Sequence, residues 1–366
     1  MNRNKYPFFK TVSFKLNPLS MQRKMMSFTG ALLLGILFFS CKKSDKAPAP
    51  LPVAQDVYIA FNEYNGPWYQ AKIWQNGTVT SLTDGTKNAN TYGVFVSGND
   101  VYVCGQESNS GGINVAKYWK NGTAVTLTDG TKNAIAISIF VSGSDVYVCG
   151  YEFGTTNYVA KYWKNGTPVI LSNGANYAVG NSIYLAGNDV YVSGYESNGT
   201  KYIARYWKNG TGINLSDGSQ DAFAYTVLVY GNDVYVAGNE YNGTTNYVAK
   251  YWKNGISVNL DNGTINTGAR VIDVLGNDIY VLGSENNGVA STGKYWKNGV
   301  AVQVTNPAKS GYCYAMKVFG SDVYTVGQET ITGNSGNTIA KFWKNGVVTD
   351  LTDGTKNAYA TGIAVK

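Results

Sequence analysis

Apolar and polar residues alternate along the chain in short runs that are separated by glycine and asparagine. One run reads Asp-Val-Tyr-Val-x-Gly-x-Glu, as at Asp145–Glu152, and a second reads Ala-Lys-Tyr-Trp-Lys-Asn-Gly, as at Ala116–Gly122. An apolar run such as Ser138–Val141 precedes the first, and a short segment such as Thr167–Leu171 follows the second. Alternation of period two, bounded by turn residues, predicts four β-strands in each unit.

The residues between these strands predict two hairpins in each unit. Gly-Asn or Gly-Ser joins strands one and two, which suits a type II′ turn, and Asn-Gly joins strands three and four in every copy. The recurring glutamate and basic residue predict a register in which Glu152 faces Lys161. The same register sets Gly150 opposite Trp163, so that a tryptophan covers a glycine.

The units repeat at spacings of 44 to 47 residues. This spacing is read from the tryptophans at Trp74, Trp119, Trp163, Trp207, Trp252, Trp296 and Trp343. Seven four-stranded antiparallel units of this length predict an all-β, seven-bladed β-propeller over residues 54–366. The body begins with strand two at Asp56 and ends with strand one at Thr361–Val365, so we expect the C-terminal strand to complete the first blade.

The repeat resembles the bacterial extracellular repeats called HAF repeats. The shared features are the Trp-x-x-Gly turn, the strand and leucine that follow it, and a later Val-x-Gly; Val-Ala-Lys or a similar sequence stands where that family has His-Ala-Phe. The resemblance covers about residues 54–366 in organisation. It implies an extracellular repeat protein and brings no general activity with it.

The N-terminal segment predicts export and lipid anchoring. A basic stretch after Met21 and an apolar run from Ala31 to Phe39 form a signal peptide region within residues 1–40, with Met21 as an alternative start. Ser40-Cys41 resembles the cleavage site of bacterial lipoproteins, so we expect Cys41 to carry the lipid, such as palmitate. Residues 41–53 then form a proline-rich tether. The predicted location is the cell envelope, as an outer-membrane lipoprotein facing either the surface or the periplasm.

The charge is concentrated in the segment expected to be removed. The chain has a net charge of +7, with 30 basic and 23 acidic residues. Six of the basic residues and no acidic ones lie in residues 1–40, so the processed body would be nearly neutral. A neutral body argues against a nucleic-acid partner, which needs a basic surface. We expect a monomer whose partners are the membrane, through Cys41, and a glycan or protein ligand.

The side chains available for catalysis are few. The chain has no histidine, no Cys/His metal cluster and no phosphate-binding glycine motif, so no metal or cofactor is predicted. Most acidic residues recur at fixed repeat positions, which indicates a structural role. Asp221 and Asp273 are among the irregular ones, and a hydrolase would need two such acids in one pocket. We also expect Cys104 and Cys149, at one repeat position, to be buried thiols.

Binding is the function that the sequence favours. The seven repeated tryptophans are interpreted as scaffold, and the longer loops, which differ between units, as the variable surface. We expect a non-enzymatic binding or scaffolding propeller with its ligand at the loop face. The candidate contacts are Trp68, Tyr69, Tyr158, Tyr202 and Tyr247. The alternatives are a hydrolase acting on a glycan or peptide, and a purely structural envelope protein.

Overall fold

The computed structural model describes residues 55–286, 288, 290–331 and 336–366. The predicted signal region, Cys41 and the tether lie outside the described residues.

The described residues form seven four-stranded antiparallel sheets, the blades. Blade 1 consists of β28 and β1–β3, and blades 2 to 7 take β4–β7 through β24–β27 in chain order. The innermost strands are β28 (Ala358–Val365), β4 (Ala89–Ser97), β8 (Ala134–Ser142), β12 (Ala178–Ala186), β16 (Ala222–Tyr230), β20 (Asn266–Leu275) and β24 (Gly311–Phe319). The second strands are β1 (Val57–Tyr64), β5 (Asp100–Ser108), β9 (Asp145–Phe153), β13 (Asp189–Ser197), β17 (Asp233–Tyr241), β21 (Asp278–Asn286) and β25 (Asp322–Thr330).

The outer half of each blade is a hairpin of a seven-residue and a four-residue strand. The third strands are β2 (Tyr69–Gln75), β6 (Asn114–Lys120), β10 (Tyr158–Lys164), β14 (Tyr202–Lys208), β18 (Tyr247–Lys253), β22 (Ser291–Lys297) and β26 (Thr338–Lys344). The outermost strands are β3 (Thr78–Ser81), β7 (Thr123–Thr126), β11 (Thr167–Ile170), β15 (Thr211–Asn214), β19 (Ile256–Asn259), β23 (Val300–Gln303) and β27 (Val347–Asp350).

The blades close into a ring, as predicted. Each innermost strand contacts the innermost strands of both neighbouring blades, from β4 round to β28 and back to β4. In blade 1, β28 pairs with β1, and Asp56 and Lys366 exchange backbone hydrogen bonds of 3.0 and 3.1 Å. The seven-bladed all-β propeller and its closure by the C-terminal strand are therefore confirmed.

All the tight turns lie on one face of the ring, here called the turn face, and the longer connections lie on the other, the loop face. The asparagine of each Asn-Gly turn has a positive φ of 47 to 51°, and the glycine after it is also positive, as a type I′ turn requires. In blade 3, Asn165 Nδ2 donates to Asp145 Oδ1 (2.8 Å), and Val146 N donates to Asn165 Oδ1 (2.8 Å). The same two bonds recur at every described Asn-Gly turn. They tie the two hairpins of each blade together.

The predicted register of strands two and three is wrong by two residues, although the predicted contacts form. Lys161 lies opposite Gly150, and Glu152 lies opposite Val159. Lys161 nevertheless forms an ion pair with Glu152, because a long side chain reaches its diagonal neighbour on the same face. The ring of Trp207 likewise covers Gly194 within its own blade, at 3.1 Å from the position of a Cβ there. A shift of two residues preserves the face and so leaves the packing unchanged.

The tryptophans form the core between blades. Trp119, Trp163, Trp207 and Trp252 are each about 1 % exposed and pack in apolar clusters shared by neighbouring blades. Trp74 differs, because blade 1 has Phe61 where the other blades have glycine. Phe61 is buried, and Trp74 is only partly buried, its ring centroid 6.2 Å from that of Phe342.

Candidate functional site

Every innermost strand in the described chain contains a β-bulge, which the sequence analysis did not predict. The bulge adds one unpaired residue, so these strands have eight to ten residues instead of the shorter apolar runs expected. The unpaired residues are Tyr92, Ile137, Asn181, Tyr225, Arg270, Tyr314 and Thr361. A bulge kinks the strand and redirects a side chain, and it recurs near binding sites in many folds.

A glycine of Val-Tyr-Val-x-Gly accommodates the bulge in blades 2 to 7. At Gly238 a Cβ would lie 2.0 Å from the carbonyl oxygen of Phe223 in the bulged strand, and at Gly327 only 1.8 Å from that of Tyr312. Glycine, which has no Cβ, allows the two backbones to approach this closely. In blade 1 the same position is Phe61, and the innermost strand is bulged there as well.

The unpaired residues point into the centre of the ring. There they line a cavity of about 370 Å³ together with small neighbours such as Ser138, Ser182 and Thr226. All seven blades contribute to its wall, so the cavity is the central channel. The scaffold repeats, but the seven unpaired positions carry five different residue types, with tyrosine at three of them.

Arg270 is the one charged residue in the described channel wall. Its guanidinium carbon lies 5.7 Å from the ring centroid of Tyr225 and 5.3 Å from that of Tyr314, so two aromatic rings hold it by cation–π attraction. Among the described residues no carboxylate forms an ion pair with it. An arginine that is exposed to the channel and unpaired can bind a carboxylate or phosphate with two parallel hydrogen bonds.

The channel tyrosines are neutral hydrogen-bonding groups. Burial raises the pKa of Tyr92 to about 12, and burial also raises the pKa of Tyr225 and of Tyr314, although the positive charge of Arg270 opposes the increase in both. Their hydroxyls therefore stay protonated at any physiological pH. The wall offers phenol hydroxyls around a single positive charge, which favours an anionic group on a ligand.

Neighbouring blades satisfy backbone groups at the bulges. Thr226 Oγ1 donates to the carbonyl oxygen of Arg270 (2.8 Å), and Asn181 Nδ2 donates to that of Ala224 (2.8 Å). These bonds run from one blade to the next, and they hold the bulged backbone in place. The side chain of Arg270 is accordingly presented by a fixed backbone.

The five predicted ligand contacts lie at the loop face but do not form one site. Tyr158 and Tyr202 both contact Tyr177, with centroids 5.6 and 5.9 Å apart, and Tyr202 and Tyr247 both contact Phe223. These three candidates therefore pack into an aromatic cluster of blades 3 to 5. The other two, in blade 1, lie apart from it.

The blade 1 candidates have different surroundings. Trp68 is exposed by 45 % of its surface. Tyr69 is half-buried and contacts Tyr359 (5.3 Å), which in turn lies 6.2 Å from Tyr314 beside Arg270. Whether any of the five binds a ligand remains a prediction.

The two acids proposed for a hydrolase do not meet. Asp221 accepts a hydrogen bond from the backbone N–H of Tyr202 (2.9 Å). Asn133 accepts the equivalent bond from Asn114 in blade 2, and other blades also carry asparagine at this position. It lies at the start of β16, next to the loop face. Asp273 lies near the turn-face end of β20. There it accepts hydrogen bonds from Lys317 Nζ and from the backbone N–H of Val318, both at 2.9 Å. A mechanism with this pair of carboxylates has no support.

Two other irregular acids also have structural partners. Asp261 Oδ2 accepts a bond from Ala249 N (3.1 Å), as hydroxyls do in other blades, and Asp350 forms an ion pair with Lys341 (2.5 Å). Asp45 lies outside the described residues. Comparison of the repeats alone could not reveal that these acids are structural, because residues of a different type form the equivalent bonds in other blades.

Cys104 and Cys149 are buried free thiols in the clusters between blades. Burial raises the pKa of the Cys104 thiol to about 12, which suppresses its reactivity. No group of three or more potential metal ligands occurs in the described part of the chain. The described residues also include no helix long and apolar enough to cross a bilayer.

Comparison with known proteins identifies the fold and no family. No protein-family model matches the chain, and no curated protein is significantly similar to it in sequence. A puromycin-hydrolysing peptidase from Mycobacterium tuberculosis superposes with a TM-score of 0.54 and 12 % identity, covering 80 % of this chain and 53 % of its own. A puromycin hydrolase gives 0.55 and 11 %, covering 82 % and 52 %. This chain thus matches about half the length of these enzymes.

The comparison corrects the predicted non-enzymatic function. The superposed structures are a puromycin-hydrolysing peptidase and a puromycin hydrolase, so the expectation of a non-enzymatic binding or scaffolding propeller is contradicted, and the hydrolase alternative is favoured. At this identity the likeness shows the fold and not an activity. The similarity to HAF repeats remains a prediction from the sequence.

Sequence reasoning missed the channel residues. Aligning the units on the small residues before and after the bulge, as Thr91 and Gly93 in blade 2, would have isolated one position that differs between blades. Arg270 stands out there as the one charged residue among uncharged ones. The sequence prediction placed the variable binding surface in the loops, whereas the residues that vary nearest the ring axis lie within the strands.

Proposed function

We propose that the chain takes part in the hydrolysis of peptides, with the central channel as the place where the substrate is held. The observation that carries this proposal is Arg270, a cation without an acidic partner in the described residues, fixed between Tyr225 and Tyr314 and facing the channel. The ring would close without it, since the other blades carry uncharged residues at this position. Its charge therefore has a use beyond the scaffold.

The fold supports the choice of substrate class. Propellers of this kind occur in peptidases that hydrolyse puromycin, and the channel supplies what a peptide requires: a positive charge for a carboxylate, and hydroxyls and amides for its backbone. The wall contains binding groups, and we assign no bond-breaking residue to it. In this proposal the propeller selects and positions the peptide.

A direct test is to incubate a mixture of short peptides, and separately puromycin, with the full-length chain and to follow products by mass spectrometry. We expect products that accumulate with time and that fall at least tenfold with Arg270→Gln, because hydrogen bonds to a charged group contribute about 1.5–3 kcal/mol. Lys132→Gln, which removes an exposed charge at the loop face, is the matched control. Binding without any cleavage would refute the proposal, as would a chain that neither binds nor cleaves peptides.

We also propose that the protein is an envelope lipoprotein anchored through Cys41. The basic stretch, the apolar run and Ser40-Cys41 support this location, as does the likeness to extracellular HAF repeats. Metabolic labelling with palmitate and membrane fractionation test it. We expect label and membrane association with the natural sequence and loss of both with Cys41→Ser, whereas an unlabelled protein in the soluble fraction would contradict the anchor.

A further inference from the structure

A notch opens beside Arg270 because blade 6 lacks a side chain. Two residues before each bulge, the innermost strands of the other described blades carry Asn90, Ile135, Val179, Phe223, Tyr312 and Tyr359. In blade 6 the same position is Gly268, and a Cβ there would have no atom within 4 Å. The backbone does not require glycine at this point, since its φ is not in the left-handed region.

The space left by Gly268 connects the channel with the loop face. A cavity of about 120 Å³ is lined by Gly268, Asn239 and Ser284 and also by the channel residues Tyr225 and Arg270. A second cavity of about 190 Å³ shares Gly268, Asn239 and Ser284 with the first. It continues between the ends of the strands, among Asn266, Asn286 and Ser291. A ligand in the notch would reach Arg270 from the loop face.

The notch contains a buried polar group without a partner. Asn239 is 8 % exposed, and its Oδ1 has no hydrogen-bond partner among the described residues. An unsatisfied buried amide oxygen is unfavourable and is free to accept a hydrogen bond from a bound group. The amide oxygen of Gln106, at the same repeat position of blade 2, also has no partner among the described residues. The amide lines both cavities, so a ligand there can meet either its oxygen or, after rotation about χ2, its nitrogen.

Resting on the proposed function, we infer that this notch is a subsite for the carboxyl end of a peptide. The α-carboxylate binds the guanidinium of Arg270, and the last residue lies over Gly268, where its amide group bonds with Asn239. The planar fork of arginine matches a carboxylate, and the flanking tyrosine rings limit its movement. The absence of a side chain at residue 268 provides the room.

The test is calorimetric binding of two peptides to the full-length chain in mild detergent. The probes are acetyl-trialanine with a free carboxylate and the same peptide as its carboxyl-terminal amide. We expect the free acid to bind about ten- to a hundredfold more tightly than the amide, and Arg270→Gln to remove that difference. Equal affinities for acid and amide would overturn the subsite, as would preferential binding of glucuronic acid over the peptide.

Filling the notch separates this inference from the proposed function. Gly268→Phe places there the residue type of blade 5, and we expect it to weaken binding of the free acid at least tenfold. Ile135→Phe, at the same position of blade 3, is the matched control and should leave the affinity within about threefold. Thermal unfolding of each variant checks that it is folded.

The outcomes are distinct. If Gly268→Phe binds normally while Arg270→Gln does not, the peptide lies in the channel and the notch is not its subsite. The proposed function then stands, and the subsite is refuted. If neither peptide binds the natural chain, the subsite is refuted, and the cleavage assay decides the proposed function.

Discussion

The turn face and the channel wall are built from the same repeat, yet they differ in how much each blade may vary. At the turn face, the hydrogen bonds from asparagine to aspartate and from the backbone to asparagine recur in every described blade with nearly constant lengths. At the channel wall the unpaired residue is aromatic, aliphatic, amide, hydroxyl or basic. A side chain that satisfies backbone groups is fixed by them, whereas a bulged residue is released from pairing and can change without cost to the ladder.

The shared part produces the variable part. In blades 2 to 7 the repeated glycine allows the backbone of the bulged strand to approach closely, and the bulges of the seven blades project five different residue types. Conservation within the repeat and diversity at its centre are therefore two results of one geometry.

Replacing the glycine should be the most damaging change. In Gly238→Val a Cβ would lie 2.0 Å from the carbonyl oxygen of Phe223 and 2.7 Å from the ring of Trp252, so the bulged strand and the tryptophan ring would have to shift. We expect the free energy of unfolding to fall by about 3 kcal/mol or more, measured by urea denaturation. Gly268→Ala is the control, with a change within about 1 kcal/mol. A stable Gly238→Val variant would show that glycine at this position is not needed for a stable blade.

Removing one turn asparagine should have an intermediate effect. Asn165→Ala loses two hydrogen bonds and places alanine at a φ of 49°, so we expect a loss of about 2 kcal/mol in the free energy of unfolding. Asn165→Gly keeps the backbone conformation at no steric penalty and should cost about half as much. If the two variants were equally destabilised, backbone conformation would contribute nothing at this turn.

Acid should weaken the turn face through its aspartates. Hydrogen bonds from Asn165 and Lys164 lower the pKa of Asp145, and the equivalent bonds lower those of five other turn aspartates. Because the folded pKa is below the unfolded one, the stabilisation is present above the ordinary aspartate pKa of about 4 and is lost as the pH falls through the folded value. We expect the unfolding temperature to decrease below about pH 4, and Asp145→Asn to lessen the decrease slightly. An unchanged melting temperature down to pH 2 would contradict these bonds.

Changing a channel residue should have the smallest effect on stability. Ile137→Ser alters a bulged side chain that faces the channel, and we expect a change below about 1 kcal/mol. Ile139→Ser, two residues further along the same strand at 5 % exposure, should cost about 3 kcal/mol because it buries an unsatisfied hydroxyl in the core. Urea denaturation of both variants measures the difference. Equal losses would mean that the channel wall is as constrained as the core.

The sequence predicted the fold well because the fold depends on local signals. Asn-Gly turns, period-two runs and a regular spacing are each visible without tertiary structure, and together they predicted the blades, the ring and its closure. The register between strands two and three was displaced by two residues, since opposite charges such as Glu152 and Lys161 reach each other diagonally as well as directly.

The site was not predictable by the same means. In blades 2 to 7 the bulge lies against a glycine of the second strand, and in blade 1 against Phe61. No residue of the bulged strand itself, such as Tyr92 or Arg270, carries a signal for it. The roles of Asp221 and Asp261 were equally hidden, because asparagine and hydroxyl residues form the same bonds elsewhere. Variation between repeats indicates where function lies only after the geometry shows which variation faces the channel.

The pairing of β1 with β28 has a consequence for the order of events in biosynthesis. It joins the strand of the propeller that emerges first from the ribosome to the one that emerges last. Until β28 is made, β1 keeps a bare hydrogen-bonding edge and the circle of blades stays open. Closure therefore has to follow synthesis of β28, and in an exported chain the ring would close only after β28 had crossed the membrane.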